Sequence, residues 1–374
     1  MLQRLLPDVE GIGRGTLREA FRQRGFDRPE DAARVMHARL SSKEALRQNA
    51  SKWELTMLRA KTRKQPCGTG IRTEHTKRLS EWNMTGWAVL LEAIECRAVP
   101  NDVRILLTCP LVLQLLKRDM FRRFSLLSMT RPIGLTCSLT QDALRPWAQR
   151  SSKVLACVLV VFGQMACGVR AGGEAAQTAA QMRCDVSTYT VTVAIDYKNA
   201  FGLIENEFTY HTLVVAVRIV KTDADVRARL AAAGIEVAEA VTAIEFMIDD
   251  LVWTRTGGFS CATVVEGHIK RLYPNVGETQ GGLFSALRYV VAKAIGVDRY
   301  LAIEFPDHIM RSIVDDGILQ CEVRTPEDVR VLVEWMWRLD VLVTGVGRPA
   351  YSDAQGEYEI TGSLGKLNFS KFKI

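Results

Sequence analysis

Two kinds of hydrophobic spacing divide the chain. In residues 1–65 the apolar side chains recur every three or four positions, which is typical of amphipathic helices. From residue 188 the period changes to two. In TYTVTVAID (188–196), alternate apolar side chains face one side and Asp196 ends the more polar side. The pattern therefore predicts a helical front end and, much later, a strand that ends at Asp196.

The intervening and later segments mix helices with short strands. Proline and glycine mark the predicted boundaries, because proline ends helices and strands and glycine favours turns. In the first half of the chain we predict one or two helices over 85–120, divided by Pro100 and Pro110, and then a strand over 124–139, stopped by Pro132 and Gly134. An apolar run and an alanine-rich helix follow over 152–182. In the second half we predict a helix over 223–248, opened by Thr222 and Asp225 in capping-box-like spacing, a β-like stretch over 251–264, and a glycine-rich turn into a helix over 277–295. Strict βαβ alternation is missing, so the expected fold class is α+β.

SIVDDGILQC (312–321) predicts a hairpin with two adjacent acids near its tip. An Asp–Gly step between alternating apolar residues is a strong turn signal. A turn needs only one aspartate, however. Asp315 and Asp316 together suggest that a charged group sits opposite them.

The composition fits a folded protein with a basic front end. The chain has 374 residues, of which 48% are hydrophobic, enough for two or three domains or one large one. Residues 1–78 hold 18 Lys and Arg against nine Asp and Glu, whereas the whole chain nets +7. Such asymmetry favours a polyanionic partner, most simply nucleic acid, and the alternative is a solvated helical surface.

The cysteine spacing and the hydropathy exclude several classes of protein. Nine cysteines contain no C-x-x-C spacing, which gives no support to a zinc site and fits a reducing compartment. The most apolar run, VLACVLVVFG (154–163), is too short to cross a bilayer, and the first twenty residues lack a signal-peptide core. We therefore expect neither membrane insertion nor secretion.

Asp196 and the Asp315–Asp316 pair suggest a metal site when they are taken together. Carboxylates from different strand ends can hold two Mg²⁺ or Mn²⁺ ions for in-line phosphoryl transfer. Each acid by itself has a structural explanation, since a strand-end aspartate is often a cap and an acidic turn is often only a turn. Their joint presence makes the catalytic interpretation worth testing.

Seven segments in collinear order resemble reverse transcriptases, in particular the non-LTR retrotransposon and organellar reverse-transcriptase-like group. They are GTGIRTEH (68–75), QLLKRD…TRPIG (114–134), GVRAGGEAAQTAA (168–180), AIDYKNAFGLI (194–204), GETQGGLFSAL (277–287), SIVDDGIL (312–319) and GSLGKLNFSK (362–371). The resemblance implies a right-hand polymerase architecture. It comprises a basic helical region at 1–67, a fingers-like region at 68–187 and a palm-like domain with an antiparallel sheet at 188–374.

The resemblance also implies a set of site residues. Asp196 and Asp315 are expected to hold the metals, with Asp316 supporting them. Contacts to the incoming dNTP and the template–primer are expected from Arg131, Phe201, Gln280, Gly281 and Lys371, with Lys117 and Arg123 as further candidates for the triphosphate. Phe201 is expected to lie under the sugar, where its ring leaves no space for a 2′-hydroxyl. Lys371 is expected to supply a proton to leaving pyrophosphate.

The chain also departs from the family pattern. Ile313 stands where the family usually has an aromatic, Leu283 stands where it often has proline, and only three residues follow Lys371, so a thumb is expected to be missing. The expected function is an RNA-directed DNA polymerase whose partners are an RNA template, a primer and dNTPs, with a possible protein partner replacing the thumb. The alternative is a catalytically weak or inactive relic that binds RNA or serves as a ribonucleoprotein subunit. A mitochondrial location is favoured over a nuclear one.

Overall fold

The α+β prediction is confirmed. The computed structural model describes residues 14–58, 73–116, 130–167, 169, 171–256, 261–265, 268–272, 276–278, 281–353 and 356–373. Within these ranges the chain forms mostly helices and three small sheets, without regular βαβ alternation.

The helices and strands have the following bounds. The helices are α1 (Arg14–Gln23), α2 (Pro29–Arg39), α3 (Lys43–Leu58), α4 (Thr73–Trp82), α5 (Met84–Glu95), α6 (Asn101–Thr108), α7 (Ser138–Leu159), α8 (Gly172–Val186), α9 (Ala200–Leu203), α10 (Asn206–Thr222), α11 (Ala224–Ala232), α12 (Val237–Arg255), α13 (Ser285–Lys293), α14 (Arg299–Glu304) and α15 (Pro326–Thr344). The strands are β1 (Leu111–Leu116), β2 (Thr130–Leu135), β3 (Thr190–Ile195), β4 (Cys261–Val265), β5 (His268–Leu272), β6 (Ile309–Ile313), β7 (Asp316–Glu322), β8 (Tyr351–Asp353) and β9 (Gly356–Tyr358). A π-helical segment, Ala294–Asp298, joins α13 to α14.

The chain divides into two compact units. The first comprises Met1–Ala148, Asp249–Asn275 and Thr279–Leu283, and the second comprises Gln149–Ile248, Val276–Glu278 and Phe284–Ile374. None of the described helices is both long enough and apolar enough to span a membrane.

The first unit combines the N-terminal helices with a four-stranded sheet in the order β2-β1-β4-β5. Trp53 on α3 is fully buried, and its indole nitrogen donates a 3.1 Å hydrogen bond to Oε2 of Glu92 on α5. Arg39 and Lys52 form ion pairs with the same carboxylate. This buried acid therefore has the partners that burial of a charge demands.

Two predictions for the first unit need correction. The helix expected to continue past Pro110 is a strand instead, because the apolar run at 111–116 pairs antiparallel with β2. The predicted strand at 124–139 ends earlier than expected, since β2 covers Thr130–Leu135 with Pro132 inside it and α7 has begun by Ser138. Residues 124–129 lie outside the described residues. The tertiary pairing with β2 here decides an apolar pattern that periodicity leaves ambiguous.

The second unit is organised by a three-stranded antiparallel sheet in the order β3-β7-β6. Helix α13 is buried along nearly its whole length, with eight of its nine residues buried. A helix enclosed on all sides lies in the core rather than on the surface. The strand predicted to end at Asp196 is confirmed as β3.

Between residues 206 and 255 the helices differ from the prediction in four respects. The helix expected over 223–248 is two helices, α11 and α12, separated around Gly234, whose φ is +68°. The cap of α11 is Asp223 rather than Thr222, since the Asp223 carboxylate accepts from the backbone N–H of Val226. Helix α10 was not predicted, because its many β-branched residues weaken a helical signal. Residues 251–255, expected to be β-like, complete α12.

Candidate active site

Asp196 and Asp316 lie at the same end of neighbouring strands in the second unit. The β3–β7 ladder closes with Ile195 opposite Gly317, and the next position on each strand is an aspartate. On the other side of β7, Ile313 pairs with Asp316, so that Val314 and Asp315 form the hairpin turn. The register therefore brings Asp196, Asp315 and Asp316 to one edge of the sheet. We call these three residues the acidic cluster.

The hairpin turn is one step earlier than the Asp–Gly signal indicated. Its central residues are Val314 and Asp315, and Val314 has a φ of +59°, a conformation that a β-branched residue rarely adopts. Buried Gln164 holds it in place: its Oε1 accepts from the Val314 N–H at 3.1 Å and its Nε2 donates to the Val314 carbonyl at 3.3 Å. No motif in the sequence marks Gln164, so its contact with the hairpin is visible only in the structure.

The acidic cluster is electrostatically crowded. Partial burial, followed by the like charges of Asp315 and Asp196, raises the pKa of Asp316. Tyr289 on α13 is fully buried, and burial raises the pKa of its hydroxyl, with contributions from Asp315, Asp298, Asp316 and Asp196. All three carboxylates of the cluster contribute to the pKa of the Tyr289 hydroxyl, so all three lie near this side chain.

The C-terminal segment runs beside Asp196. The backbone carbonyl of Asp196 accepts a 2.9 Å hydrogen bond from the Asn368 N–H, and Oδ2 of Asp196 accepts a 2.7 Å hydrogen bond from Nδ2 of Asn368. Lys371 Nζ lies 3.3 Å from the same oxygen. The structure thus places Lys371 next to Asp196, and it adds Asn368, whose individual role the sequence analysis did not single out although it lies in the family-like segment LNFSK.

The acidic cluster has suitable ligands for Mg²⁺ or Mn²⁺, but its carboxylates are not arranged as a complete coordination site. Carboxylate oxygens are the hard ligands these cations prefer, and a divalent charge would relieve the crowding that raises the pKa of Asp316. Among the described residues, however, no group of three or more His, Cys, Asp or Glu side chains is gathered closely enough to hold a metal ion. Asp196 instead uses Oδ2 for Asn368 and Lys371. Metal binding at the cluster therefore stays a prediction, for which the donor set is appropriate.

Phe201 on α9 is stacked on Tyr289. The ring centroids are 4.8 Å apart and the planes differ by 28°. Tyr197, which directly follows Asp196, is also buried. Burial raises the pKa of its hydroxyl, and Asp298, Tyr289 and Asp315 add to the rise. Neither tyrosine hydroxyl has a hydrogen-bond partner within the described part of the chain. The aromatic residue predicted to lie under a sugar thus rests on a rigid, buried ring.

The start of GETQGGLFSAL (277–287), which we call the Gln-Gly segment, is hydrogen-bonded to α9, the short helix that carries Phe201, and to Ile204 just after it. The Glu278 N–H donates to the Phe201 carbonyl and the Gly277 N–H to the Ile204 carbonyl, both at 2.7 Å. Glu278 also forms a buried two-point ion pair with Arg288 of α13, at 2.6 and 2.8 Å. Within the second unit, therefore, AIDYKNAFGLI (194–204) and the beginning of the Gln-Gly segment are joined by direct hydrogen bonds.

The other predicted site residues belong to the first unit or lie outside the described residues. Gly281, with a φ of +102°, packs its backbone against Gly134, since an added Cβ would lie 2.8 Å from the Gly134 carbonyl. This contact joins the Gln-Gly and TRPIG segments inside the first unit. Arg131 lies in β2, opposite Leu115. Lys117, Arg123 and Gln280 lie outside the described residues.

Comparison with known proteins gives distant structural likenesses. No protein-family model matches the chain, and no curated protein matches its sequence. A structure of apo telomerase from Candida tropicalis, truncated from its C-terminal domain, has a TM-score of 0.44 at 10% identity and covers 82% of this chain and 66% of that one. Telomerase from Candida albicans, in complex with a TWJ fragment of telomeric RNA, has a TM-score of 0.43 at 10% identity, with 74% and 44% covered. Another structure of apo telomerase from Candida tropicalis has a TM-score of 0.42 at 10% identity, with 89% of this chain and 63% of that one covered.

The chain spans about half to two thirds of the length of these telomerases. None of them is of the non-LTR retrotransposon or organellar type, so that finer assignment gains no support from the comparisons.

Proposed function

We propose that this chain is a reverse-transcriptase-like nucleotidyltransferase, which extends a primer 3′-hydroxyl with dNTPs on an RNA template. The observation that carries the proposal is the register of the sheet in the second unit. It brings Asp196 to the same edge of the sheet as Asp315 and Asp316, which lie more than a hundred residues later in the sequence. A purely structural turn and a purely structural cap have no reason to coincide in this way.

Asp196 and Asp315 would hold Mg²⁺ or Mn²⁺, with Asp316 adding negative charge beside them. The bound ions would supply Lewis-acid stabilisation of charge on the transferred phosphoryl group. The hairpin fixes Asp315 through the contacts between Val314 and Gln164. Asn368 orients the Asp196 carboxylate. Both supports reduce the freedom of the acids, as a positioned catalytic group requires.

The remaining roles concern the nucleotide. Phe201, supported from one side by Tyr289, would exclude a 2′-hydroxyl and so favour deoxynucleotides. Lys371 would leave its ion pair with Asp196 to meet a phosphate oxygen or to donate a proton to the leaving group. Arg131, Gln280 and Gly281 are proposed to contact the triphosphate and the template–primer, with Lys117 as a further triphosphate ligand.

The second candidate function is RNA binding without catalysis, and one observation favours it. Asp196 forms an ion pair with Lys371, so the carboxylate that a polymerase would use to hold a metal ion already has a partner within the chain. The basic residues of 1–78 would then supply the affinity. This alternative predicts RNA binding that weakens steeply with salt and is indifferent to the acidic cluster.

Primer extension on an RNA template, with Mg²⁺ or Mn²⁺, tests the proposal. The wild type should extend the primer, and Asp315→Asn should abolish extension. Asp225→Asn, a neutralising change at an exposed position on α11, serves as the matched control and should leave extension intact. Equal activity in wild type and Asp315→Asn refutes the polymerase proposal. Salt-sensitive RNA binding without any extension favours the second candidate.

A further inference from the structure

Helix α15 carries an apolar line on its outer face. Val329, Val333 and Trp337 are 47%, 60% and 59% exposed. They follow one another at intervals of four residues, so their side chains lie along one side of the helix. Together with Arg330 and Glu334 they line a single shallow groove. Single exposed apolar residues are common on protein surfaces, but a contiguous apolar line indicates a surface that another molecule covers.

The helix presents this line on a rigid support. Its inner face is buried through Leu332, Trp335 and Leu339, among others. A capping box fixes its first turn: the Thr325 side chain accepts from the Asp328 N–H, and the Asp328 carboxylate accepts from the Thr325 N–H. A helix whose inner face is already packed normally has a polar outer face. The apolar line on the outer face of α15 is therefore not explained by packing within the second unit.

The charged residues of the groove complement a second copy of the same surface. Arg330 and Glu334 have opposite charges, are both exposed, and lie four residues apart on one flank of the apolar line. In an antiparallel pair of helices related by a two-fold axis, the same flank of each copy meets. Arg330 of each copy then faces Glu334 of the other, whereas a parallel pair would bring like charges together.

The apolar residues fit the same arrangement. A two-fold axis near Val333, the middle residue of the line, places Val333 against its own symmetry mate and Val329 near Trp337 of the second copy. Tryptophan is among the residue types most enriched where binding energy is concentrated. Within the chain, Arg330 forms a 3.1 Å ion pair with Glu327, but both side chains are mostly exposed. Such a pair contributes little, so Arg330 can exchange this partner for another.

We propose that the outer face of α15 is a dimer interface, on which a second copy of this chain docks antiparallel about a two-fold axis near Val333. The dimer is independent of the polymerase activity proposed above. The apolar line spans about two and a half helical turns, so the contact buries less than the roughly 1,200 Å² at the low end of stable interfaces. We therefore expect a reversible dimer with a dissociation constant on the order of 10 μM.

Sedimentation equilibrium of the full chain, from about 1 to about 100 μM, tests for the dimer. The wild type should pass reversibly from monomer to dimer over this range. Val333→Lys places two like charges at the axis and should raise the dissociation constant about tenfold or more. Val186→Lys, the same change at another exposed valine of the second unit, is the matched control and should leave the constant unchanged. A wild type that stays monomeric, or a dimer that Val333→Lys does not weaken, overturns the proposal.

A charge swap tests the pairing across the axis. Arg330→Glu and Glu334→Arg should each raise the dissociation constant severalfold, because each brings like charges together in the antiparallel dimer. The double variant Arg330→Glu/Glu334→Arg restores opposite charges and should bind more tightly than either single variant. A double variant no tighter than the single variants overturns the antiparallel pairing.

Disulfide trapping locates the axis. In Val333→Cys the two introduced thiols are neighbours, so mild oxidation should give more covalent dimer than the wild type, whose native cysteines set the background. Val329→Cys, on the same face, is the matched control, since its symmetry mate lies roughly 10 Å farther along the helix, beyond the reach of a disulfide. Trapping in Val333→Cys alone supports the proposal. Equal trapping in both variants, or in neither, overturns it.

Discussion

Asn368 donates a 2.7 Å hydrogen bond from Nδ2 to Oδ2 of Asp196, joining two positions 172 residues apart. The backbones of the two residues are also hydrogen-bonded, at 2.9 Å. The acid at the end of β3 is thus oriented by the last segment of the described chain. A contact of this kind is typical of a carboxylate whose direction matters for its chemistry.

Substitution of Asn368 should impair the proposed catalysis without unfolding the protein. Asn368→Ala removes the orienting hydrogen bond, so we expect kcat/KM for primer extension to fall about tenfold, as is common for residues that orient metal ligands. Asn368→Asp keeps the size of the side chain, but its ionised carboxylate has no N–H to donate to Oδ2 of Asp196, so it should lower kcat/KM as well. Ser370→Ala, which removes only the hydroxyl that donates to Asn368 Oδ1, is the matched control. Wild-type kinetics in Asn368→Ala would contradict an orienting role.

The sequence predicted the acids but not their supports, for a physical reason. Period-two alternation and a pair of aspartates near a turn are local signals, so β3 and the hairpin could be found from short stretches. Gln164 and Asn368 act through contacts between residues far apart in the chain, which leave no local period. Helix α10 was missed because β-branched residues dominate it, and burial of its apolar face outweighs their weak helical propensity.

The conformation of Gly277 predicts a costly substitution. Its φ is +96°, and an added Cβ would lie 3.0 Å from the Gly202 carbonyl, next to the turn that carries Phe201. Gly277→Ala should lower the free energy of unfolding by about 1–3 kcal/mol, because backbone strain and the close contact add. Urea denaturation measures this loss in the free energy of unfolding. Gly234→Ala is the matched control, since Gly234 also has a positive φ but an added Cβ there would meet nothing within 4 Å. Gly234→Ala should lose less free energy of unfolding than Gly277→Ala, because it adds backbone strain without a close contact. Equal losses in the two variants would show that the contact with the Gly202 carbonyl contributes nothing.

The Glu278–Arg288 pair predicts strong coupling between two buried charges. Arg288→Met leaves the Glu278 carboxylate buried without its two-point partner, which typically costs about 3–5 kcal/mol. Glu278→Gln/Arg288→Met removes both charges and should be less destabilised than Arg288→Met alone. Arg288→Lys keeps the charge but loses one of the two contacts, so it should fall between wild type and Arg288→Met. Thermal unfolding of these proteins and of Glu278→Gln alone measures the coupling, and strictly additive effects of the two single changes would contradict it.

His211 on α10 predicts a pH-dependent stability. Its Nδ1 accepts a 3.2 Å hydrogen bond from the Thr361 N–H, an acceptor role that requires an unprotonated nitrogen. Burial lowers the pKa of His211 from its ordinary value of 6.5, and Glu207 opposes part of the shift. The folded state thus resists a proton that the unfolded chain accepts. The contribution of His211 is fully present above pH 6.5 and decreases as the pH falls from there towards the folded pKa.

The measurement compares wild type with His211→Gln, whose side-chain oxygen can accept the same hydrogen bond but does not titrate. Between pH 7 and pH 5 the free energy of unfolding of the wild type should fall more steeply than that of the variant. The difference in slope cannot exceed about 1.4 kcal/mol per pH unit, the limit for one proton. All other titrating groups are common to both proteins, so the difference isolates His211. Parallel curves over this range would show that the bond to Thr361 does not keep His211 neutral.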